Sequence, residues 1–187
     1  KIYSVNVTSG EHGQISPSGT VFIQHGAGQS FTITPDHGYH VEDVLVDGVS
    51  KGALSAYNLT SVITDHTLEG RFAINTHDLI VSKTGTGNGT VSSTLPGIAC
   101  GSDCTETYNY GTQVKLDAVA DPGATFTGWL GACVGSINPC ILTIDGNKTI
   151  TAIFSDNTPP SGTIIINDGA EVTKSIDVTL AIAATDA

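Results

Sequence analysis

Methionine is absent from the 187-residue chain, arginine occurs once, and aromatic residues make up only 6% of the sequence. Long apolar runs are also missing. The longest one near the end, 180–184, is far shorter than the roughly 20 residues that a membrane-crossing helix needs. These absences predict a chain without a membrane span. Its 39% of hydrophobic residues still suffices for one or two packed domains.

Positive charge is scarce as well, with 7 lysines and arginines against 18 aspartates and glutamates and a net charge of −11. A chain without a basic stripe cannot neutralise phosphates, which argues against nucleic acids and anionic membranes as partners. Other extracellular proteins, surface polymers and divalent cations remain as the partners that this charge permits.

No constellation in the sequence predicts catalysis or a bound cofactor. We identify no Gly-x-Ser-x-Gly nucleophile elbow. The glycine-rich run 85–89 is not followed by a helical pattern, so it does not predict a phosphate loop. His37 and His40 are interpreted as loop histidines, and His66 is expected to make a structural hydrogen bond. We therefore predict that the protein is not an enzyme.

Four cysteines form two close pairs, Cys100 with Cys104 and Cys133 with Cys140. An even, clustered set favours disulfides in an oxidising compartment. A zinc site is the competing interpretation, although zinc knuckles usually have two residues between ligands, and here three and six intervene. We expect the two local pairs to be bonded, while three connectivities are formally open.

Two segments carry the same order of signals, which predicts a tandem repeat. The first begins at Ile2 and the second at His77, and each ends on a closing strand. The sequence alignment pairs Ile15 with Val91, Phe31 with Val114, Ile33 with Leu116, Gly38 with Gly123, Val44 with Trp129, Leu68 with Ile150 and Phe72 with Phe154.

Apolar and polar residues alternate with period two in 31–34 and 149–154, as in half-buried strands. The prediction is an all-β chain with a single helical turn around 62–66. The modules are predicted to span 1–75 and 76–155.

A linker with two prolines opens the remaining segment, 156–187. It continues with strand-like runs at 162–167 and 175–184 around a turn at 168–169. Two strands do not form an independently stable sheet. We therefore expect the start of a third module, completed by further chain or by another molecule.

The run 9–50 resembles the divergent InlB B-repeat domains of bacteria, with "SPSG" at 16–19 and "FTITPDHGYHVEDVLVDG" at 31–48. The closing pattern of that family spans 62–72. The second segment resembles a cysteine-bearing variety of the same family through GIACGSDC, FTGWLGAC and KTITAIF. Together the two likenesses cover about residues 1–155.

This resemblance implies small β modules of grasp-like topology, strung along large secreted or cell-surface proteins of bacteria as spacers, stalks or adhesive segments. It supplies no catalytic residues. The tail, from DNTPPSGTIII to ATDA, resembles the entry to bacterial Ig-like or cadherin-like domains, which implies an incomplete Ig-like sandwich.

Two candidate sites remain open at this stage. Asp156 and Asn157, with Asp186 near the same edge, offer hard oxygen ligands for calcium at the joint to the third module, against the alternative of a solvated linker. Trp129 and Tyr108 or Tyr110 are candidates for stacking on a sugar ring, although Trp129 aligns with an apolar position and fits a core better.

The function predicted from the sequence is that of a non-catalytic structural or interaction region of a secreted or cell-surface protein. Exposed edge strands are its expected contact surfaces and allow self-assembly. One alternative is a carbohydrate-binding module of a secreted hydrolase. The other is a filament subunit whose third module is completed by a neighbouring chain.

Overall fold

A computed structural model describes residues 1–159, 161–166 and 180–185. The described residues form strands and no helix, which confirms the all-β prediction. The chain divides into two compact units. The first comprises Lys1–Leu79, Glu106–Val114 and Thr143–Lys148, and the second Ile80–Thr105, Lys115–Leu142 and Thr149–Ala187.

Eight strands form the first sequence repeat. They are β1 (Ile2–Ser9), β2 (Gly13–Ser16), β3 (Gly19–Gln24), β4 (Gln29–Pro35), β5 (Tyr39–Val46), β6 (Val49–Ser50), β7 (Ala56–Leu59) and β8 (His66–Ile74). One sheet has the order β3-β1-β8-β5-β6 and the other β2-β4-β7. The first and last strands of the repeat, β1 and β8, are parallel neighbours, whereas β1 pairs with β3 antiparallel.

Alternate residues of these strands build one apolar core, because successive side chains of a strand point to opposite faces. The buried set is Val5, Val7, Ile15, Ile23, Phe31, Ile33, Val41, Val44, Val46, Leu59, Val62 and Leu68. The helical turn predicted around 62–66 is wrong. Val62 is buried in a segment without helical structure, where its amide donates to the carbonyl of Ala27 at 2.9 Å and its carbonyl accepts from the amide of Gly26 at 2.8 Å.

The second sequence repeat also contains eight strands. They are β9 (Thr76–Gly85), β10 (Gly89–Ser93), β11 (Ala99–Cys100), β12 (Thr105–Asn109), β13 (Gln113–Ala120), β14 (Ala124–Gly131), β15 (Cys140–Thr143) and β16 (Lys148–Asp156). The sheet order β12-β9-β16-β14 reproduces β3-β1-β8-β5, and β10-β13-β15 reproduces β2-β4-β7. The tandem repeat read from the sequence is therefore a repeat of topology.

Local irregularities recur at equivalent positions too. The pairing of β5 with β8 shifts between Val41 and Asp43, and the pairing of β14 with β16 shifts between Phe126 and Gly128. Each bulge follows a turn that needs a left-handed residue, and glycine provides it both times, with φ of 85° at Gly38 and 84° at Gly123.

One part of the sequence alignment is wrong by two residues. Ile15 lies opposite Ile33, and its counterpart Val91 lies opposite Ala118. Ile33 therefore corresponds to Ala118 rather than Leu116, and by the same register Phe31 corresponds to Leu116 rather than Val114.

Beyond the repeats, β17 (Ser161–Ile166) and β18 (Leu180–Thr185) pair antiparallel, with Ile164 opposite Ile182. Both strands overlap the runs predicted as strand-like. The turn predicted at 168–169 and the calcium candidate Asp186 lie outside the described residues.

Candidate interaction surface

Both predicted disulfides are present. Cys100 is bonded to Cys104, and Cys133 to Cys140, with Cα–Cα distances of 4.4 Å and 6.2 Å. No cysteine among the described residues is free, so the zinc interpretation of these thiols is wrong. Cys100 and Cys140 are buried and lie in β11 and β15, so each bond anchors a loop to a strand through a buried side chain.

The longer of these loops meets the only tryptophan of the chain. Trp129 is 2% exposed, its ring centroid lies 5.0 Å from that of Phe126, and its Nε1 donates to the carbonyl of Ile137 at 3.1 Å. The ring is a core element, as its alignment with Val44 predicts, and does not provide a sugar-stacking platform.

The two tyrosine candidates are also engaged. Tyr108 is buried. Tyr110 belongs to the first compact unit, where its hydroxyl lies 3.1 Å from Nδ1 of His37 and its amide donates to the carbonyl of Asn75 at 2.8 Å. A Cβ on Gly38 would overlap the ring of Tyr110. These contacts argue against the carbohydrate-binding alternative, because neither ring is presented as a flat exposed platform.

The described calcium candidates serve the backbone of the linker. Oδ1 of Asp156 accepts hydrogen bonds from the amide and the hydroxyl of Thr158, at 2.8 Å and 2.6 Å. The hydrogen bond from the Thr158 side chain lowers the pKa of the Asp156 carboxyl. The side-chain amide of Asn157 donates to Oγ1 of Thr125 at 3.0 Å. Within the described part of the chain, no group of three or more histidine, cysteine, aspartate or glutamate side chains is arranged to hold a metal.

His66 and His40, like His37, make side-chain hydrogen bonds. Nδ1 of His66 lies 2.7 Å from Oδ2 of Asp47, whose other oxygen accepts the amide of Thr67 at 2.8 Å. This confirms the structural role expected for His66. The loop position expected for His40 is wrong, because His40 lies in β5, where its Nδ1 is 2.9 Å from Oδ1 of Asn75.

The expectation that the chain contains no Gly-x-Ser-x-Gly run is wrong, because one occurs at 48–52. Its serine, Ser50, lies in the two-residue strand β6 and donates to Oδ1 of Asp43 at 2.8 Å. That hydrogen bond lowers the pKa of the Asp43 carboxyl. A nucleophile elbow requires a strand-turn-helix context, whereas this run begins in the hairpin turn between β5 and β6 and continues through β6.

Exposed apolar side chains are the remaining candidates for recognition. A cleft of about 260 Å³ beside the Cys133–Cys140 bond is lined by Trp129, Val134, Ile137 and Ile141 among other apolar residues. On the first repeat, Phe22 projects from β3 with 72% of its surface exposed. Within the described residues, no helix is long and apolar enough to cross a membrane.

Comparison with known families gives two matches in tandem. The sequence model for the divergent InlB B-repeat domain matches residues 3–75 and again residues 79–158. No curated protein and no solved structure gives a significant match to the chain.

Proposed function

The chain belongs to the divergent InlB B-repeat family, of which it carries two tandem copies, and we propose that it is a non-catalytic repeat region of a secreted or cell-surface bacterial protein. Its role is structural: it spaces or presents neighbouring parts of a longer protein outside the cell. The observation that carries the proposal is the repetition of one β topology, shared by seven of the eight strands of each repeat, in two adjacent copies.

The disulfides support the extracellular placement. Disulfides persist in oxidising compartments and are rare in the reducing cytosol. Cys100–Cys104 and Cys133–Cys140 each fasten a loop through a buried cysteine, Cys100 or Cys140. Both bonds persist only in an oxidising environment, so the second repeat keeps both loop constraints there.

We further propose that residues 1–75 and 76–155 are the two functional modules, and that 156–187 opens an Ig-like module. The antiparallel pairing of β17 with β18 supports a β-rich third module. Calcium at the joint remains a proposal that rests on the chemistry of Asp156 and Asn157, both of which already bond to neighbouring residues.

Labelling of intact cells tests the placement. Cells of the source organism are treated with a membrane-impermeant amine reagent, and the protein is then isolated and digested. We expect peptides containing exposed lysines such as Lys51 to carry the label without lysis. Labelling that appears only after lysis would contradict the proposal. A cytosolic protein of the same cells is the control for leakage.

Module exchange within the parent protein separates a spacer from an adhesive region. Residues 1–155 are replaced by two unrelated β modules of similar size. If the region serves only as a spacer of a given length, the parent protein should keep its function. Loss of function after exchange, with surface display intact, would assign the role to the surface of the repeats instead.

A further inference from the structure

Strand β3 is an edge of the five-stranded sheet of the first compact unit. Its sequence, GTVFIQ, contains no charged residue, and Phe22 is exposed on the face away from the core. Exposed, flat, apolar edges offer unpaired backbone groups to another strand, and folded proteins usually protect them with charges, bulges or short length.

The hydrogen bonds at the end of β3 show which of its backbone groups face outward. The amide of His25 donates to the carbonyl of Lys1, and residues of an antiparallel pair alternate between bonded and non-bonded positions. Because Phe22 lies opposite Ser4 and three residues before His25, its amide and carbonyl point away from β1. The same alternation directs those of Thr20 outward.

The equivalent strand of the second repeat, β12, is protected. The amide of Tyr110 donates to the carbonyl of Asn75, the residue before β9, just as the amide of His25 donates to that of Lys1, the residue before β1. Tyr110 is therefore equivalent to His25. Three residues earlier in each strand, Thr107 is equivalent to Phe22. The hydroxyl of Thr107 donates to Oδ1 of Asp78 at 2.6 Å. The preceding residue, Glu106, places a charge on the strand. One fold therefore carries a charged edge in one copy and an uncharged, aromatic edge in the other.

The other edge strands of the two repeats are also poorly suited to pairing with a strand of another molecule. Five of them (β2, β6, β7, β11 and β15) span four residues or fewer, and β14 carries a bulge between Phe126 and Gly128. Bulges and short length both oppose edge pairing. Among the repeat edges in the described structure, β3 alone combines six residues with neither charge nor bulge.

We propose that β3 pairs antiparallel with β3 of a second copy of this chain, about a twofold axis at Phe22. This pairing rests on the proposed function, and β3 is then the surface through which two copies of the repeat region associate. A twofold contact uses the same strand on both molecules and closes into a dimer. An uncharged strand permits this approach in a chain of net charge −11, because no like charges are placed opposite each other along the strand.

The register follows from the outward groups. With Phe22 opposite Phe22 of the second copy, each phenylalanine exchanges both backbone hydrogen bonds with its counterpart, as a bonded antiparallel pair does. The two rings then lie side by side on the outer face, an arrangement that aromatic cross-strand pairs favour. Val21 then lies opposite Ile23 of the second copy, and Thr20 lies opposite Gln24 of the second copy. The apolar face and the polar face of the strand therefore each continue across the pair.

Sedimentation velocity of the 187-residue chain over about two decades of protein concentration tests the pairing, because strand-edge contacts are small and expected to be weak. The weight-average sedimentation coefficient should rise with concentration. In parallel, amide hydrogen exchange at Phe22 should slow at high concentration. This second measurement needs no variant and reports on the proposed strand itself.

Phe22→Thr places on β3 the residue that the second repeat has on β12, and we expect association at least about tenfold weaker. Ile80→Thr is the matched control, since Ile80 is 44% exposed on β9, an inner strand of its sheet, and the change should leave association unchanged. Thermal unfolding monitored by circular dichroism verifies that both variants are folded.

Three results would overturn the pairing: a wild-type chain that stays monomeric throughout, dimerisation that Phe22→Thr does not weaken, or Phe22 exchange that is independent of concentration. A monomeric chain would leave β3 free for a strand of a different protein. None of these outcomes bears on surface placement, which cell labelling tests separately.

Discussion

Gly89 lies directly beneath the ring of Phe154, so that a Cβ added to the glycine would overlap the ring carbons. Gly13 and Phe72 stand in the same relationship in the first repeat. The aromatic residue of the closing strand thus covers a residue without a side chain on the second strand of each copy. The pair requires glycine for space rather than for a special backbone angle.

Gly89→Ala is therefore expected to destabilise the protein by about 1–3 kcal/mol, the usual cost of overpacking a core. Urea unfolding monitored by fluorescence measures the change. Gly101→Ala is the control, because a Cβ at Gly101 would meet no atom within 4 Å. Equal stability of Gly89→Ala and wild type would show that the ring of Phe154 moves aside at little cost.

The hydrogen bonds of Asp65 are expected to make the stability of the protein depend on pH in the acidic range. Its Oδ1 accepts the amide of Ser4 at 2.7 Å and the hydroxyl of Ser4 at 3.0 Å. The backbone hydrogen bond, followed by that from the hydroxyl, lowers the pKa of Asp65 below its ordinary value of 3.8. A lowered folded-state pKa adds stability that is fully present above the unfolded value and is lost as the pH falls through the folded value.

Asp65→Asn is thus expected to reduce the free energy of unfolding at neutral pH, by an amount that shrinks toward zero as the pH falls below 3.8. The fold should tolerate the change, because Asn147 holds the equivalent place in the second repeat and accepts the amide of Asp78 at 3.1 Å. Urea unfolding from pH 7 to pH 2.5 measures the difference. Glu11→Gln removes a carboxylate from another turn, and a pH profile identical to that of Asp65→Asn would refute the assignment.

The sequence predicted the strand content and the repeat because both depend on local alternation and on glycines that recur at turns. It predicted the disulfides because the partners are close in the chain. The burial of Trp129 followed from its alignment with Val44. These features need only short-range information, or a second copy of the same motif for comparison.

The errors have a common physical origin. A shift of two residues keeps every side chain of a strand on the same face, so alternation alone cannot distinguish Leu116 from Ala118 as the counterpart of Ile33. The exposure of Phe22 depends on β3 being an edge strand, and the contact between Tyr110 and His37 joins residues 73 positions apart. Neither sheet order nor a distant contact is encoded in a local pattern.

The Cys133–Cys140 bond should stabilise the second repeat and hold the loop that bonds Trp129. Replacement of both cysteines by alanine is expected to lower the free energy of unfolding by about 2–3 kcal/mol in the chain-entropy account of a short loop. Because Trp129 is the only tryptophan and its Nε1 bonds to Ile137 in that loop, its emission should shift to the red. Replacement of Cys100 and Cys104 is the control and should leave native emission unchanged.

Tyr110 should stabilise the first compact unit through two separable contacts, the hydroxyl bond to His37 and the ring packing against Gly38. Tyr110→Phe removes only the hydroxyl and is expected to cost about 0.5–1.5 kcal/mol, the net worth of one hydrogen bond. Tyr110→Ala removes the ring as well and should cost more, because the packing of the ring against Gly38 is lost too. Urea unfolding of both variants measures the two contributions. If Tyr110→Ala unfolds at the wild-type urea concentration, the ring contributes nothing, and Tyr110 would then be free to bind a ligand.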